Sequence, residues 1–155
     1  MLCRVPESTF PRLPNDPTPS SPAVSARMSR QSSRDTGPER ALRRALFAAG
    51  LRYRVHHLVS LRPRRHADIA FTRAKVAVFV DGCYWHGCPA HGTSPKANSE
   101  WWKAKIERNR LRDRDTDERL MAEGWLAARV WEHENPIEAA AKIAALVRRR
   151  RSSSL

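Results

Sequence analysis

His66–His91 reads HADIAFTRAKVAVFVDGCYWHGCPAH. Two runs rich in strand formers, 66–71 and 75–80, are separated by the short turn Thr72–Ala74. The second run is apolar enough to lie inside a sheet. It ends at Asp81, and Cys83, Cys88 and His91 follow at metal-ligand spacing, with Tyr84, Trp85 and His86 packed between them. The stretch predicts two adjacent strands that deliver a metal-braced loop to the end of a sheet.

Upstream, Pro38 suits a first helical position. Glu39, Leu42, Ala45, Leu46 and Ala49 follow at helical spacing, and Gly50 is the stop. LRYRVHH (51–57) alternates as a strand, and Pro63 with its arginines marks a loop. Downstream, residues 98–123 form a long charged helix ended by Gly124, WLAARVW (125–131) a fourth strand, and Pro136 opens a last helix to about Arg149. The order α-β-β-β-α-β-α is that of an α/β chain. Residues 1–27 hold six of the eleven prolines and many Ser and Thr, so a disordered leader is expected there. Residues 28–36 read as a basic arm that orders on a partner, 37–150 as the folded domain and 151–155 as a tail.

The 155 residues allow one ordinary domain, and a net charge of +13 points first to a nucleic acid. A solvated basic surface, or the tail arginines Arg148–Arg151, is the plainer source of that charge. Three cysteines beside clustered histidines fit a reducing compartment and a metal better than a disulfide framework. No apolar stretch approaches the roughly 18 residues of a membrane span, and no signal-peptide pattern opens the chain. A cytoplasmic protein is expected.

Tetrahedral zinc takes four ligands, and Cys83, Cys88 and His91 supply three. His133 directly follows the fourth strand and would supply the last if that strand runs parallel to 76–80, leaving a structural site with no open position. Two buried cysteines with surface histidines is the alternative. Asp68 inside one strand and Asp81 at the end of the next are a common way to hold Mg2+ against a phosphate; a salt bridge from Asp68 to Arg64 or Arg65 is the alternative. His86 reads as an acid/base group or as a further metal ligand. Glu39 stands in the first turn of a helix, where it favours the dipole whatever else it does. Tyr84 and Trp85 are expected to be exposed, able to stack on bases or wedge between them. Of Trp101 and Trp102, one is expected in the core and one free.

From about Ala26 to Val147 the chain resembles the very-short-patch repair (Vsr) endonucleases, which nick DNA at T:G mismatches arising from deamination of 5-methylcytosine. RMSRQSSRDTGPE, RHADIAF, VAVFVDGCYWHGCPAHG, EWWKAKIERNRLRD and GWLAARVWEHE carry the resemblance. It implies a restriction-endonuclease-like, three-layer core: a mixed sheet flanked by helices, with structural zinc on Cys83, Cys88, His91 and His133. It makes Asp68 the principal Mg2+ ligand, with the Val80 carbonyl adding coordination. His86 would help activate the attacking water, and Glu39 would act through metal-bound water. Tyr84, Trp85 and Trp102 match the aromatics that wedge beside the mismatch, and Arg30 and Arg34 lie in the arm that follows the DNA. The implied setting is a monomer at the bacterial nucleoid acting on mismatched double-stranded DNA, with other mismatch-repair proteins as further candidate partners. The chain departs from the family at Val80-Asp81, where some members carry Thr-His, so Asp81 is itself a candidate Mg2+ ligand. Related nucleases place a lysine where this chain has Cys83, a role His86 would have to cover. A non-catalytic zinc-braced DNA-binding protein, or a nuclease with another DNA target, are the rival functions.

Overall fold

The computed structural model of the chain describes residues 13, 21–30, 34–92 and 96–153. Its elements are α1 (Pro22–Arg30), α2 (Gly37–Ala48), β1 (Arg54–Leu61), β2 (Arg64–Phe71), β3 (Val76–Asp81), α3 (Ser99–Ala122), β4 (Leu126–Trp131) and α4 (Pro136–Ser152). Each element expected between Pro38 and Arg149 is present, with ends shifted by a few residues. One difference lies upstream: Pro22–Arg30 is helical where a leader and a polar arm were expected. Pro22 takes the first helical position, and the Ser25 N–H closes the first turn on the Ser21 carbonyl at 3.1 Å. Most of the expected leader, the middle of the 28–36 arm and the end of the tail lie outside the described residues.

The chain divides into two compact units, one of Met1–Gln31 with Cys83–Asp115 and one of Ser32–Gly82 with Thr116–Leu155. The second unit holds a four-stranded sheet in the order β1-β2-β3-β4. β1 and β3 run antiparallel to β2, while β4 runs parallel to β3, from Val76↔Leu126 to Asp81↔Trp131. The sheet is therefore mixed. Pairing between β2 and β3 runs from Phe71↔Val76 to Ile69↔Val78, and beyond it, at Asp68, the two strands part.

The period-2 alternation of the strands gives the sheet two unlike faces. On one, Ile69, Phe71, Val76, Val78 and Val130 pack with Leu42 and Leu46 of α2 and with Ala139, Ala140, Ile143, Ala144 and Val147 of α4. Those helix positions recur every three to four residues, so each helix turns a single stripe to the sheet. Leu42, Leu46, Phe71, Ile143 and Val147 are at most 2 % exposed. At about 1.5–3 kcal/mol per buried side chain, they dominate the stability of this unit. A second cluster gathers Ala67, Ala70 and Ala77 with Val59, and these small residues leave room for Leu120, near the end of α3. No helix among the described residues is long and apolar enough to cross a membrane.

Candidate active site

Asp68 sits where β2 and β3 part. The Val80 N–H donates to its Oδ2 at 2.8 Å, so the side chain takes the place of a ladder carbonyl. Among the described residues, Oδ1 has no hydrogen-bond partner and no arginine pairs with Asp68. Arg65 instead donates from Nε to Thr116 Oγ1 at 3.0 Å. Burial pushes the Asp68 carboxyl above the ordinary carboxylate range. The Val80 N–H and His56 oppose that shift, and the nearby charges of Glu39 and Asp81 reinforce it. A half-buried acid with two acidic neighbours suits a bound divalent cation.

Glu39 is 4 % exposed, in the first turn of α2. The Thr36 hydroxyl accepts the Glu39 N–H at 3.4 Å as the N-cap of α2 and donates to the Glu39 Oε1 at 3.2 Å. Oε2 accepts from the Asp35 N–H and from Arg43 Nη2, both at 3.0 Å. Glu39 is thus tied to the N-cap of its helix, and its charge is also felt at Asp68. Asp81 is buried with a partner of its own: Arg129 Nη1 donates to both its oxygens, at 3.0 and 3.1 Å. Arg129 also holds Asp117 and lies 4.8 Å over the Phe79 ring. The sequence reading missed Arg129 because the only hint was one arginine in an apolar strand. It also missed Asp35, Arg43 and His56, which stand around Glu39.

In the first unit, Cys83 and Cys88 are 7 % and 3 % exposed and are not joined in a disulfide. The Cys88 N–H donates to the Cys83 carbonyl at 2.9 Å, and the Gly92 N–H to the Cys88 carbonyl at 2.7 Å. Cys88 Sγ lies 3.9 Å from His91 Nδ1, and the candidate ligand atoms of Cys83, Cys88 and His91 lie within 4.8 Å of one another. Tetrahedral zinc would set sulfur and nitrogen about 3.6 Å apart. Cys83, Cys88 and Trp102 are also the only buried hydrophobic residues described between 83 and 115. A segment of that size seldom folds on so small a core without a metal or a disulfide. These residues fit zinc. His133 belongs to the second unit, exposed in the turn after β4, its ring stacked on Trp131 at 6.4 Å.

His86 Nδ1 faces Asp113 Oδ2 at 2.6 Å, so a carboxylate that the sequence reading did not single out orients the imidazole. Asn109 Nδ2 donates to the Trp85 carbonyl at 2.8 Å, and Arg110 Nη2 to the Gly87 carbonyl at 2.7 Å. Asn109, Arg110 and Asp113 share one face of α3 with Ile106, and that face straps down residues 85–87. Gly87 has φ 63°, and a Cβ there would stand 2.7 Å from Arg110 Nη2 and 2.8 Å from Ile106 Cγ2. Gly87→Ala is expected to cost about 1–3 kcal/mol and to lower Tm by several degrees in a thermal melt. An unchanged Tm would show that the strap is loose.

Tyr84 and Trp85, expected to be exposed, are half-buried. The reason is an aromatic cluster: Tyr84 and Trp85 lie 4.9 and 5.5 Å from the Trp102 centroid, and Trp101 lies 4.8 Å from it. Burial pushes the Tyr84 phenol up, keeping it neutral. Trp102 is buried and Trp101 half-buried, close to the expected division of one core and one free ring. Arg30, which ends α1, and Arg34 are exposed.

A family model described as DNA mismatch endonuclease Vsr matches residues 20–91. The chain is 44% identical over 129 residues to the type II nicking enzyme V.NaeI of Lentzea aerocolonigenes, covering 82% of this chain and 78% of that protein. It is 43% identical over 110 residues to the type II nicking enzyme V.NmeDIP of Neisseria meningitidis serogroup C, covering 69% and 72%. Against the DNA mismatch endonuclease Vsr of Escherichia coli (strain K12) it is 35% identical over 101 residues, covering 64% and 63%. With the mixed sheet and the acid at its parting strands, these likenesses place the chain in the Vsr family of DNA mismatch endonucleases.

Proposed function

We propose that this endonuclease nicks one strand of double-stranded DNA at T:G mismatches in a Mg2+-dependent reaction. The observation that carries this reading is Asp68, half-buried at the parting of β2 and β3 with one oxygen fixed by the Val80 N–H and no cation paired to it among the described residues. Asp68 and the Val80 carbonyl would hold Mg2+, with Glu39 acting through metal-bound water. Mg2+ supplies polarisation of the phosphoryl oxygen, charge stabilisation at the leaving 3'-oxygen and a more acidic water. His86, oriented by Asp113, accepts a proton from the attacking water as its oxygen bonds to phosphorus and the P–O3' bond breaks. Asp81 is the further candidate Mg2+ ligand, and Arg129, which donates to both its oxygens, holds that carboxylate in place. Cys83, Cys88 and His91, with His133 as the fourth ligand, would hold structural zinc, which would fix the loop that carries His86.

Tyr84, Trp85 and Trp102 form the wedge. Unstacking a base step costs a few kcal/mol, and a weakly paired T:G step lowers that cost, which is one physical source of selectivity. The net charge of +13 supplies the phosphate contacts, and the relatives named nicking enzymes support a cut in a single strand. Duplexes carrying T:G, other mismatches or none, incubated with Mg2+ or with EDTA, test this on a denaturing gel. Single-strand cutting of the T:G duplex, with Mg2+ only, is expected. Equal cutting of every duplex would remove the mismatch preference, and binding without cutting would favour the DNA-binding rival.

A further inference from the structure

His56 takes no part in the chemistry above, yet it is held in an unusual way. It has φ 45° inside β1, the left-handed region that costs a non-glycine residue about 1–3 kcal/mol. Its neighbours Val55 and His57 pair with Ile69 and Ala67, so His56 stands across from Asp68. Its Nε2 lies 3.2 Å from Asp35 Oδ1 and 3.3 Å from Arg43 Nη2. Arg43 in turn donates from Nη1 to Asp35 and from Nη2 to Glu39 at 3.0 Å, and the Asp35 N–H donates to the same Glu39 oxygen. The hydrogen bonds of Arg43 and His56 hold the Asp35 carboxyl below its ordinary range, so this end of the network stays ionised.

We propose that Asp35, Arg43 and His56 are positioning residues, a clasp between β1 and the first turn of α2 that keeps the Glu39 carboxylate presented to Asp68 for the divalent ion. The proposal rests on the Mg2+ reading of Asp68. Without the clasp, Glu39 would lose the Arg43 donor on Oε2 and the fixed direction of its charge. The rival is that Asp35, Glu39 and His56 form a second cation site, since their ligand atoms lie within 4.8 Å of one another. Arg43 already supplies the positive charge between both carboxylates, which disfavours that reading.

Mn2+ binding to the full chain, followed by electron paramagnetic resonance, together with the Tm rise on adding Mg2+, tests the clasp without relying on cleavage. His56→Ala is expected to weaken Mn2+ binding about tenfold and to shrink the Mg2+-induced Tm rise. His56→Asn is expected to stay within about threefold of wild type, because asparagine tolerates the left-handed backbone and its amide can donate to Asp35. Asp35→Asn, at an exposed position, is expected to weaken binding as well, and keeps the test decisive if His56→Ala does not fold. A His56→Ala protein with lowered Tm but wild-type Mn2+ affinity would overturn the proposal, as would loss of one of two bound Mn2+ ions. If wild type and Asp68→Asn bind Mn2+ equally, the reading of Asp68 as the ligand fails instead.

Discussion

Asp68→Asn is expected to lower the nicking rate on the order of 10³-fold while making the metal-free protein more stable at neutral pH. The rate loss corresponds to about 4 kcal/mol of transition-state stabilisation, the scale on which a divalent ion acts at a phosphoryl oxygen. The gain in stability follows from the raised carboxyl of Asp68, whose main cause is burial. A carboxyl whose folded pKa lies above its unfolded value of 3.8 binds more protons folded than unfolded, so ionising it opposes folding as pH rises through that window. At neutral pH the wild type carries that penalty in full, and the asparagine does not. Asparagine also keeps an oxygen to accept the Val80 N–H. A Tm gain of a few degrees near pH 7 is the usual size when a strained functional charge is removed. It should fade as pH falls through the window and vanish below about pH 4. Mg2+ should raise the Tm of wild type and leave the variant unmoved, since only the wild type binds it through this carboxylate. Thermal melts across pH, with and without Mg2+, check all three statements. Retained Mg2+-dependent nicking by the variant would sink the assignment of Asp68.

The contrast between Asp68 and Asp81 shows what the sequence could and could not yield. Asp68 lies inside one strand pattern and Asp81 ends the next, and hydrophobic patterning alone located them and the strands that carry them. It could not tell that Arg129, two residues short of Asp81's own partner Trp131 in the parallel register, would reach across to its carboxylate. Nor could it show that β2 and β3 part beside Asp68 and leave the second acid's neighbour without a guanidinium. Side-chain pairing across strands depends on register, and register is set by packing that no local pattern contains. His56 illustrates the same limit: in VHH it reads as one more strand residue, and nothing local marks its left-handed φ. Asp113 was hidden in a run of alternating charges along α3. The helix period predicts which residues share its face, but only the fold says that this face meets the 85–87 loop. The aromatics were over-read in one respect. A Tyr-Trp pair between metal ligands looked open to solvent, whereas Trp101 and Trp102 supply rings that half-bury it.

Loss of zinc is the second large effect, and it should fall unevenly along the chain. Purified protein is expected to hold one zinc ion, and Cys88→Ser to hold almost none. In the 83–115 segment the buried hydrophobic residues described are Cys83, Cys88 and Trp102, a core worth a few kcal/mol at about 2 kcal/mol per side chain. Structural zinc contributes an apparent ~10–16 kcal/mol in small zinc-dependent peptides at neutral pH, so a bound zinc would outweigh the packing here. The sheet with α2 and α4 has its own core of Leu42, Leu46, Ile69, Phe71, Ile143 and Val147, which contains no cysteine. Cys88→Ser is therefore expected to keep most of its far-UV circular dichroism while proteases cut rapidly between 83 and 98. Nicking should fall with it, because the loop that presents His86 is closed by the Cys88–Cys83 and Gly92–Cys88 hydrogen bonds. His133→Ala probes the fourth ligand and should show a milder form of the same pattern, with weakened zinc retention. Acid should release the metal from wild type as well, since thiolates and a neutral imidazole are the binding forms. Zinc analysis together with limited proteolysis separates the possibilities. A metal-free wild type, or a Cys88→Ser protein as protease-resistant as wild type in this segment, would show that the two thiols are buried for packing alone.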